Sequence, residues 1–396
     1  MAKSDNLRKA KEAKNDEFYT QLSDIETEIS QHKDYVKQFE DKVVLCNCDD
    51  PEWSNFFVFF KLHFKQLKLK KLITTHYNKD GKPSYKLEWS GETLNDDMVN
   101  LVKTELSGNG DFRSDECVEI LKEADIIVTN PPFSIAREDF IPLLYKYNKK
   151  FIIVGDLNWV TYKTVFPLFK NNQLFFGYTT IKEFVLPDGT KQKFGNKLWF
   201  TNMDLDKHHE SLILTKNYSG NESRYPTYDN YDAIECRQVK EIPKDYCESW
   251  GVTNEVFNKL NHDEWEKVRT QTFDNGVVLN FVVPAKDTKL RKLLAKHESG
   301  YREAVESALT DAIYCSGYMG VPITFLDKYD PKQFDIIGAD FELADKVEFD
   351  DGTKGTGRFY TSNSTANMTN SKQASKQASK QASKRLYSRI VVRRQM

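Results

Sequence analysis

No apolar run in this 396-residue sequence approaches the ~18 residues that a membrane-crossing helix requires, so no such span is expected. The opening "MAKSDNLRKAKEAKNDEF" is charged throughout and lacks the apolar stretch of a signal peptide. Cysteine is scarce: Cys46, Cys48, Cys117, Cys236, Cys247 and Cys315 are too few in so long a chain for a disulfide framework. A cytoplasmic protein with reduced thiols is expected. Excess charge of one sign is also missing, since 57 basic residues face 59 acidic ones and the formal net charge is −2. A nucleic-acid partner is neither required nor excluded by that balance; only local clusters could speak for one. Cys46 and Cys48 form a Cys-x-Cys, but no second pair or histidine cluster completes a four-ligand set, and no metal is expected.

Alternating strand and helix patterns fill the first half. "LSDIETEISQHKDYVKQF" (22–39) has helical spacing, "KVVLCN" is a short buried strand, and a wide apolar helix face begins at Asn55. "LKKLITTHY" (69–77) is a second strand, followed by a hairpin-rich excursion over 78–96. Ser114 caps a helix leading to "DIIVT", a strand apolar enough to be buried on both faces. Residues 136–147 read as helix and "KFIIVGDLN" as another buried strand. This alternation predicts an α/β class: a Rossmann-like, mostly parallel sheet flanked by helices, followed by a C-terminal α+β region. Beyond about residue 175, aromatics alternate with polar residues around a "PDG" turn, predicting antiparallel strands. Residues 252–313 read as a helical block interrupted by "GVVLNFVVP", and "SKQASKQASKQASK" (371–384) has nothing to bury and reads as a linker. "RLYSRIVVRR" alternates as a closing strand.

The chemistry gathers at Thr129-Asn130-Pro131-Pro132-Phe133. Asn130 and Pro131 each precede a proline and are pushed into extended geometry, while each proline fixes its own φ and donates no N–H. What remains is a stiff strand extension offering two acceptors, the Asn130 side-chain oxygen and the Pro131 carbonyl. An exocyclic aromatic amine has two hydrogens to give them. Held out of plane, those hydrogens leave the nitrogen lone pair localised and able to attack a methyl sulfonium. Phe133 would offer a flat face to the ring. The carboxyl end of a strand is where open α/β sheets bind ligands. The plain alternative is a strand leaving through a Pro-Pro turn, with Phe133 in the core.

Asn-Pro-Pro-Phe resembles motif IV of S-adenosylmethionine-dependent amino methyltransferases. "NDEFYTQ" (15–21), "CNCDDPEWSNF" (46–56), "KLWFTN" (197–202), "MGVPITFLDKY" (319–329) and "RLYSRIVVRR" (385–394) narrow the resemblance to EcoRI-type adenine-N6 DNA methyltransferases, almost end to end. It implies S-adenosyl-L-methionine as donor and a flipped adenine of double-stranded DNA as acceptor, in a bacterial or phage-infected cell. A restriction-modification role or an orphan or phage modification role would follow, with a cognate restriction endonuclease as a partner but not in a stable complex. A monomer is expected. Asn130, Pro131, Pro132 and Phe133 become the catalytic set. Phe18, Tyr19 and Thr20 resemble motif X, with Gln21 where relatives have proline. Cys46, Asn47, Asp49 and Asp50 fall where motif I belongs, and Asp111 and Phe112 resemble motif III; all would contact the cofactor.

The sequence departs from the family in several places. Motif I has no Gly-x-Gly, and no acid closes the second strand to take the ribose hydroxyls. "IPKDY" (242–246) and "GYMGVPITF" (317–325) look like parts of one motif, separated here by an insertion. The implied division is a tail 1–15, a methyltransferase domain 16–205, and a target-recognition region 206–396 with an inserted helical segment 247–316 and a linker 362–384. In the C-terminal stretch, Lys372, Lys376, Lys380, Lys384, Arg385, Arg389, Arg393 and Arg394 occur with no acid, a pattern fitting either phosphate contact or a solvated tail. The other readings are methylation of protein glutamine or RNA adenine, and a catalytically inactive binding module.

Overall fold

A computed structural model describes residues 19–48, 50–52, 54–78, 80–91, 101–186, 189–295, 300–309, 311–344, 358–362, 383–385 and 388–395. The chain divides into two compact units, Met1–His209 and Glu210–Met396.

The first unit is built on eight strands: β1 (Val43–Asn47), β2 (Lys71–Thr75), β3 (Tyr85–Trp89), β4 (Leu101–Glu105), β5 (Ile126–Thr129), β6 (Lys150–Asp156), β7 (Phe175–Val185) and β8 (Lys191–Thr201). They lie in the order β4-β3-β2-β1-β5-β6-β8-β7. The central four, β2-β1-β5-β6, run parallel. The outer pairs are antiparallel, which makes the sheet mixed. β1 and β5 are buried throughout, as their unbroken apolar runs require.

Helices α1 (Leu22–Gln31), α2 (Tyr35–Phe39), α3 (Asn55–Leu62), α4 (Asp115–Glu123), α5 (Ile141–Lys146) and α6 (Phe166–Lys170) complete the unit. The single helix expected over 22–39 is two, because the chain turns at His32–Asp34 with Asp34 at φ 47. The buried Glu28 ties α1 to β7 there, accepting from the Tyr178 amide at 2.8 Å, the Thr179 amide at 2.7 Å and His32 Nε2 at 3.1 Å. Ser114 caps α4 as expected, its hydroxyl accepting from the Cys117 amide at 3.2 Å. Residues 136–140 form one π turn before α5, because Pro142 has no N–H to continue a regular ladder.

The second unit carries β9 (Thr227–Tyr228), β10 (Tyr231–Glu235), β11 (Ser249–Thr253), β12 (Trp265–Thr272), β13 (Val278–Pro284), β14 (Ile313–Cys315), β15 (Tyr318–Pro322), β16 (Phe334–Ala339), β17 (Tyr360–Ser362), β18 (Ser383–Arg385) and β19 (Arg389–Arg394). One sheet has the order β16-β19-β15-β10-β9, a second β12-β13-β11-β14, and β17 pairs with β18. The segment expected to be helical, 247–316, is instead organised by the four-stranded antiparallel sheet, with α7 (Asn254–Lys259), α8 (Lys289–Ala295) and α9 (Tyr301–Ala308) packed around it. "WEKVRTQT" has only Trp265 and Val268 as apolar residues, and a bulge between Lys267 and Arg269 accompanies a buried Arg269, so no period-two pattern marks the strand. The flanks of this segment meet: a Cβ on Gly317, which sits at φ +68, would come within 2.3 Å of the Cys247 backbone. The pairing of β17 with β18 likewise brings Ser362 and Ser383 together, so the two ends of the expected linker 362–384 are strand; residues 363–382 lie outside the described residues, as does the expected tail 1–15.

Candidate active site

The carboxyl ends of the parallel strands converge in the first unit. β5 delivers Asn130 directly, and the Thr129 hydroxyl donates to the Asn47 carbonyl at the end of β1, locking the two strand ends together. Asn130 and Pro131 are buried. The Pro132 carbonyl is consumed by the amides of Ile135 and Ala136 at 3.2 and 3.1 Å, which starts the π turn and ends the extended tip.

Motif X is fastened by backbone pairing. The Tyr19 amide donates to the Val185 carbonyl at 2.8 Å and the Val185 amide returns to Tyr19 at 3.1 Å. Asn55, at the start of α3, then donates through Nδ2 to the Thr20 carbonyl at 2.8 Å. Thr20 is thereby brought to the segment that follows β1. Phe18 and Asp49 lie outside the described residues.

The loop after β1 replaces the missing glycines in an unexpected way. Cys48 itself adopts φ 120, a backbone region that glycine favours. Cys46 and Asn47 are buried beneath it. Asp50 crosses to the ends of β2 and β3: its Oδ1 accepts from the Tyr85 hydroxyl at 3.1 Å, and His76 Nε2 lies 3.4 Å from Oδ2. Burial, reinforced by that carboxylate, pushes the Tyr85 hydroxyl pKa upward, so it stays a donor. The motif III loop packs on the same end, since a Cβ at Gly110 (φ +80) would stand 1.9 Å from the His76 carbonyl oxygen. Asp111 follows, bound by Arg113 through Nε at 3.0 Å and Nη2 at 2.7 Å; those hydrogen bonds hold its carboxyl below the ordinary range. Phe112 is buried edge-on against Phe140 at 5.0 Å, in the turn that follows Asn130–Phe133.

Among the described residues, buried Thr20 Oγ1, Asn47 Oδ1 and Ser54 Oγ meet no hydrogen-bond partner. Three such oxygens beside the β1 end suit the amino and carboxylate groups of an amino-acid-bearing cofactor, because a buried polar atom without a partner carries a desolvation cost that a ligand relieves. Among the described residues, no group of three or more His, Cys, Asp or Glu side chains could hold a metal ion. A cavity of 710 Å³ opens at the opposite, amino-terminal ends of the strands, lined by Lys42, Asp125, Lys149 and Lys150, away from these groups.

The sequence model described as "Adenine-specific methyltransferase EcoRI" matches residues 6–308 and 301–395. The chain belongs to this family. Type II methyltransferase M.EcoRI of Escherichia coli is 43% identical over 299 residues, spanning 68% of this chain and 90% of the relative. M.MgeORF184P of Mycoplasma genitalium is 40% identical over 284 residues (66% and 85%), and M.MpnI of Mycoplasma pneumoniae 38% over 281 residues (66% and 84%). No solved structure matches.

Two features of this EcoRI-family site escape a reading by motif. Phe133 is buried among Trp159 at 6.3 Å and Phe184 at 6.1 Å, and Lys197 Nζ stands 3.8 Å from its ring centroid. Lys197 in turn pairs with Asp156 at 2.8 Å. The signal in the sequence was a lysine heading the otherwise apolar "KLWF", together with the acid in "VGDLN", which only strand pairing places opposite it. In the second unit, Arg389 and Arg393 are already paired with carboxylates. Arg389 grips Glu235 at 2.6 Å, and Arg393 reaches Glu248 at 3.0 Å and Asp335 at 3.2 Å.

Proposed function

We propose that this adenine-specific DNA methyltransferase moves a methyl group from S-adenosyl-L-methionine to N6 of an adenine turned out of duplex DNA. The observation carrying the proposal is Asn130-Pro131-Pro132 at the carboxyl end of a buried parallel strand, tied through Thr129 to the β1 end where unpartnered oxygens collect. The bound donor supplies a methyl carbon activated by its sulfonium. Asn130 Oδ1 and the Pro131 carbonyl accept the two amine hydrogens and aim the nitrogen; Phe133 orients the base. No side-chain nucleophile is needed, and the acceleration comes from positioning and fixed dipoles. Thr20, Asn47 and Ser54 hold the amino-acid end of the donor. Asp50, standing over the end of β2, takes the ribose hydroxyls that an acid on β2 would otherwise take. Asp111 and Phe112 meet the donor's adenine.

The second unit would read the target, and the protein would act as a monomer in the cytoplasm beside, but not bound to, a cognate endonuclease. Membership of an adenine-specific family leaves the protein-glutamine and inactive-module readings unfavoured.

Asn130→Ala is expected to abolish tritium transfer from labelled donor to duplex DNA. DNA affinity should stay within about threefold, since the lost contact serves the transition state. Full transfer by the variant, or equal transfer by the native chain to DNA without adenine, would refute the reading.

A further inference from the structure

Asp156 and Lys197 are direct partners across the antiparallel β6–β8 pair, at the edge of the catalytic tip. The side chain of Lys197 is 2% exposed and that of Asp156 14%, so this is a desolvated ion pair rather than a surface one. Asp156 is itself fixed: its Oδ1 accepts from the Asn158 amide at 2.8 Å, and both its oxygens accept from Asn196 Nδ2 at 2.8 Å. The carboxylate is thus a rigid anchor, and the ammonium it holds lies against the face of Phe133, with the Phe194 ring 5.2 Å away. A structural salt bridge would have no need to place its cation on the aromatic residue of Asn-Pro-Pro-Phe. A buried ammonium is costly unless its contacts are strong, and here the second strong contact is that ring.

We infer that Lys197 is a positioning residue for the acceptor base. Anchored by Asp156, its ammonium braces the Phe133 ring and fixes the plane of the aromatic residue that follows Asn130-Pro131-Pro132. Asp156 neutralises the lysine, which keeps a net positive charge away from a nitrogen that becomes positive as the methyl group arrives.

This inference rests on the reading of Asn130–Phe133 as the acceptor site, and the test separates the two. Single-turnover methylation, donor affinity and DNA affinity are measured for Lys197→Met, Lys197→Arg, Phe133→Leu, the Lys197→Met/Phe133→Leu double variant and Asn130→Ala. Lys197→Met is expected to slow the chemical step about tenfold while both affinities hold, the size a desolvated cation–π contact can supply. Lys197→Arg, which keeps a cation on the ring, should recover to within about threefold. In the Phe133→Leu background, Lys197→Met should add nothing further. A native rate in Lys197→Met, a tenfold loss that persists without the Phe133 ring, or a parallel loss of donor affinity would overturn the inference. Should Lys197→Met fail to fold, Lys197→Arg decides it: a rate loss with affinities intact counts against bracing by charge. Activity retained in Asn130→Ala would instead overturn the acceptor-site reading, whatever Lys197 does.

Discussion

At the scale of single residues, the loop after β1 shows what a missing glycine costs. Cys48 holds φ 120, a region where a Cβ is crowded and where ordinary residues are strained by about 1–3 kcal/mol. Cys48→Gly should therefore raise stability, by about 1 kcal/mol once glycine's larger unfolded-state entropy is offset, as read by urea denaturation. Donor affinity should not fall. A loss of stability in that variant would show that the thiol has contacts worth more than the strain. The sequence displays the absence of Gly-x-Gly but not its remedy, because a dihedral angle is written in residue type only when the residue is glycine. Asp50 is a similar case. It looks like part of motif I, yet its contacts are Tyr85 on β3 and His76 just after β2, and strand order is what brings it there. The place of Asn130 at the carboxyl end of β5, by contrast, was legible, since an apolar run precedes it and two prolines end the strand.

At the scale of elements, what could be read was whatever buried both faces or repeated cleanly. β1, β5 and β6 are apolar runs bounded by polar turns, and all three appear where expected. The inserted segment was misread because β12 has few apolar residues and a bulge in its middle, so its sequence shows no strand period. Its organisation suggests a unit added at one point of the fold: Gly317 lies against Cys247, so the chain leaves and returns at neighbouring positions. Its own core of Trp250, Val252, Trp265, Val282, Tyr301, Val305 and Leu309 supports that view. Removing 249–315 and joining the flanks with two glycines should give a protein that still unfolds cooperatively. The variant should bind donor within about threefold of the native chain, as expected for a site built from residues of the first unit. The price is local, since Arg269 of the segment packs over the rings of Tyr218 and Tyr246, which lie outside it. Collapse of donor binding on excision would mean that the segment supports the methyltransferase unit itself.

At the scale of the molecule, net charge is a poor guide to where a polyanion would sit. The C-terminal run of lysine and arginine looks like a phosphate-binding tail, but burial sorts its members. Arg389 is locked into Glu235 through Nε at 3.0 Å and Nη2 at 2.6 Å, and the Tyr228 hydroxyl donates to the same carboxylate. Burial, with that anion beside it, drives the Tyr228 pKa well upward. Both partners of the ion pair are nearly inaccessible, so neither can exchange its counter-charge for phosphate without unfolding β19 from β15 and β16. Arg389→Ala should thus act on stability, costing about 3 kcal/mol because Glu235 is left charged and buried without its cation. The slope of log DNA affinity against log salt should stay the same in the folded variant, whereas loss of a phosphate contact lowers it by about one. A stable Arg389→Ala protein with a shallower salt slope would return the arginine to the DNA interface. The expected result leaves phosphate neutralisation to cations elsewhere in the chain, so that the closing strand reads as a girder of the second unit rather than an arm.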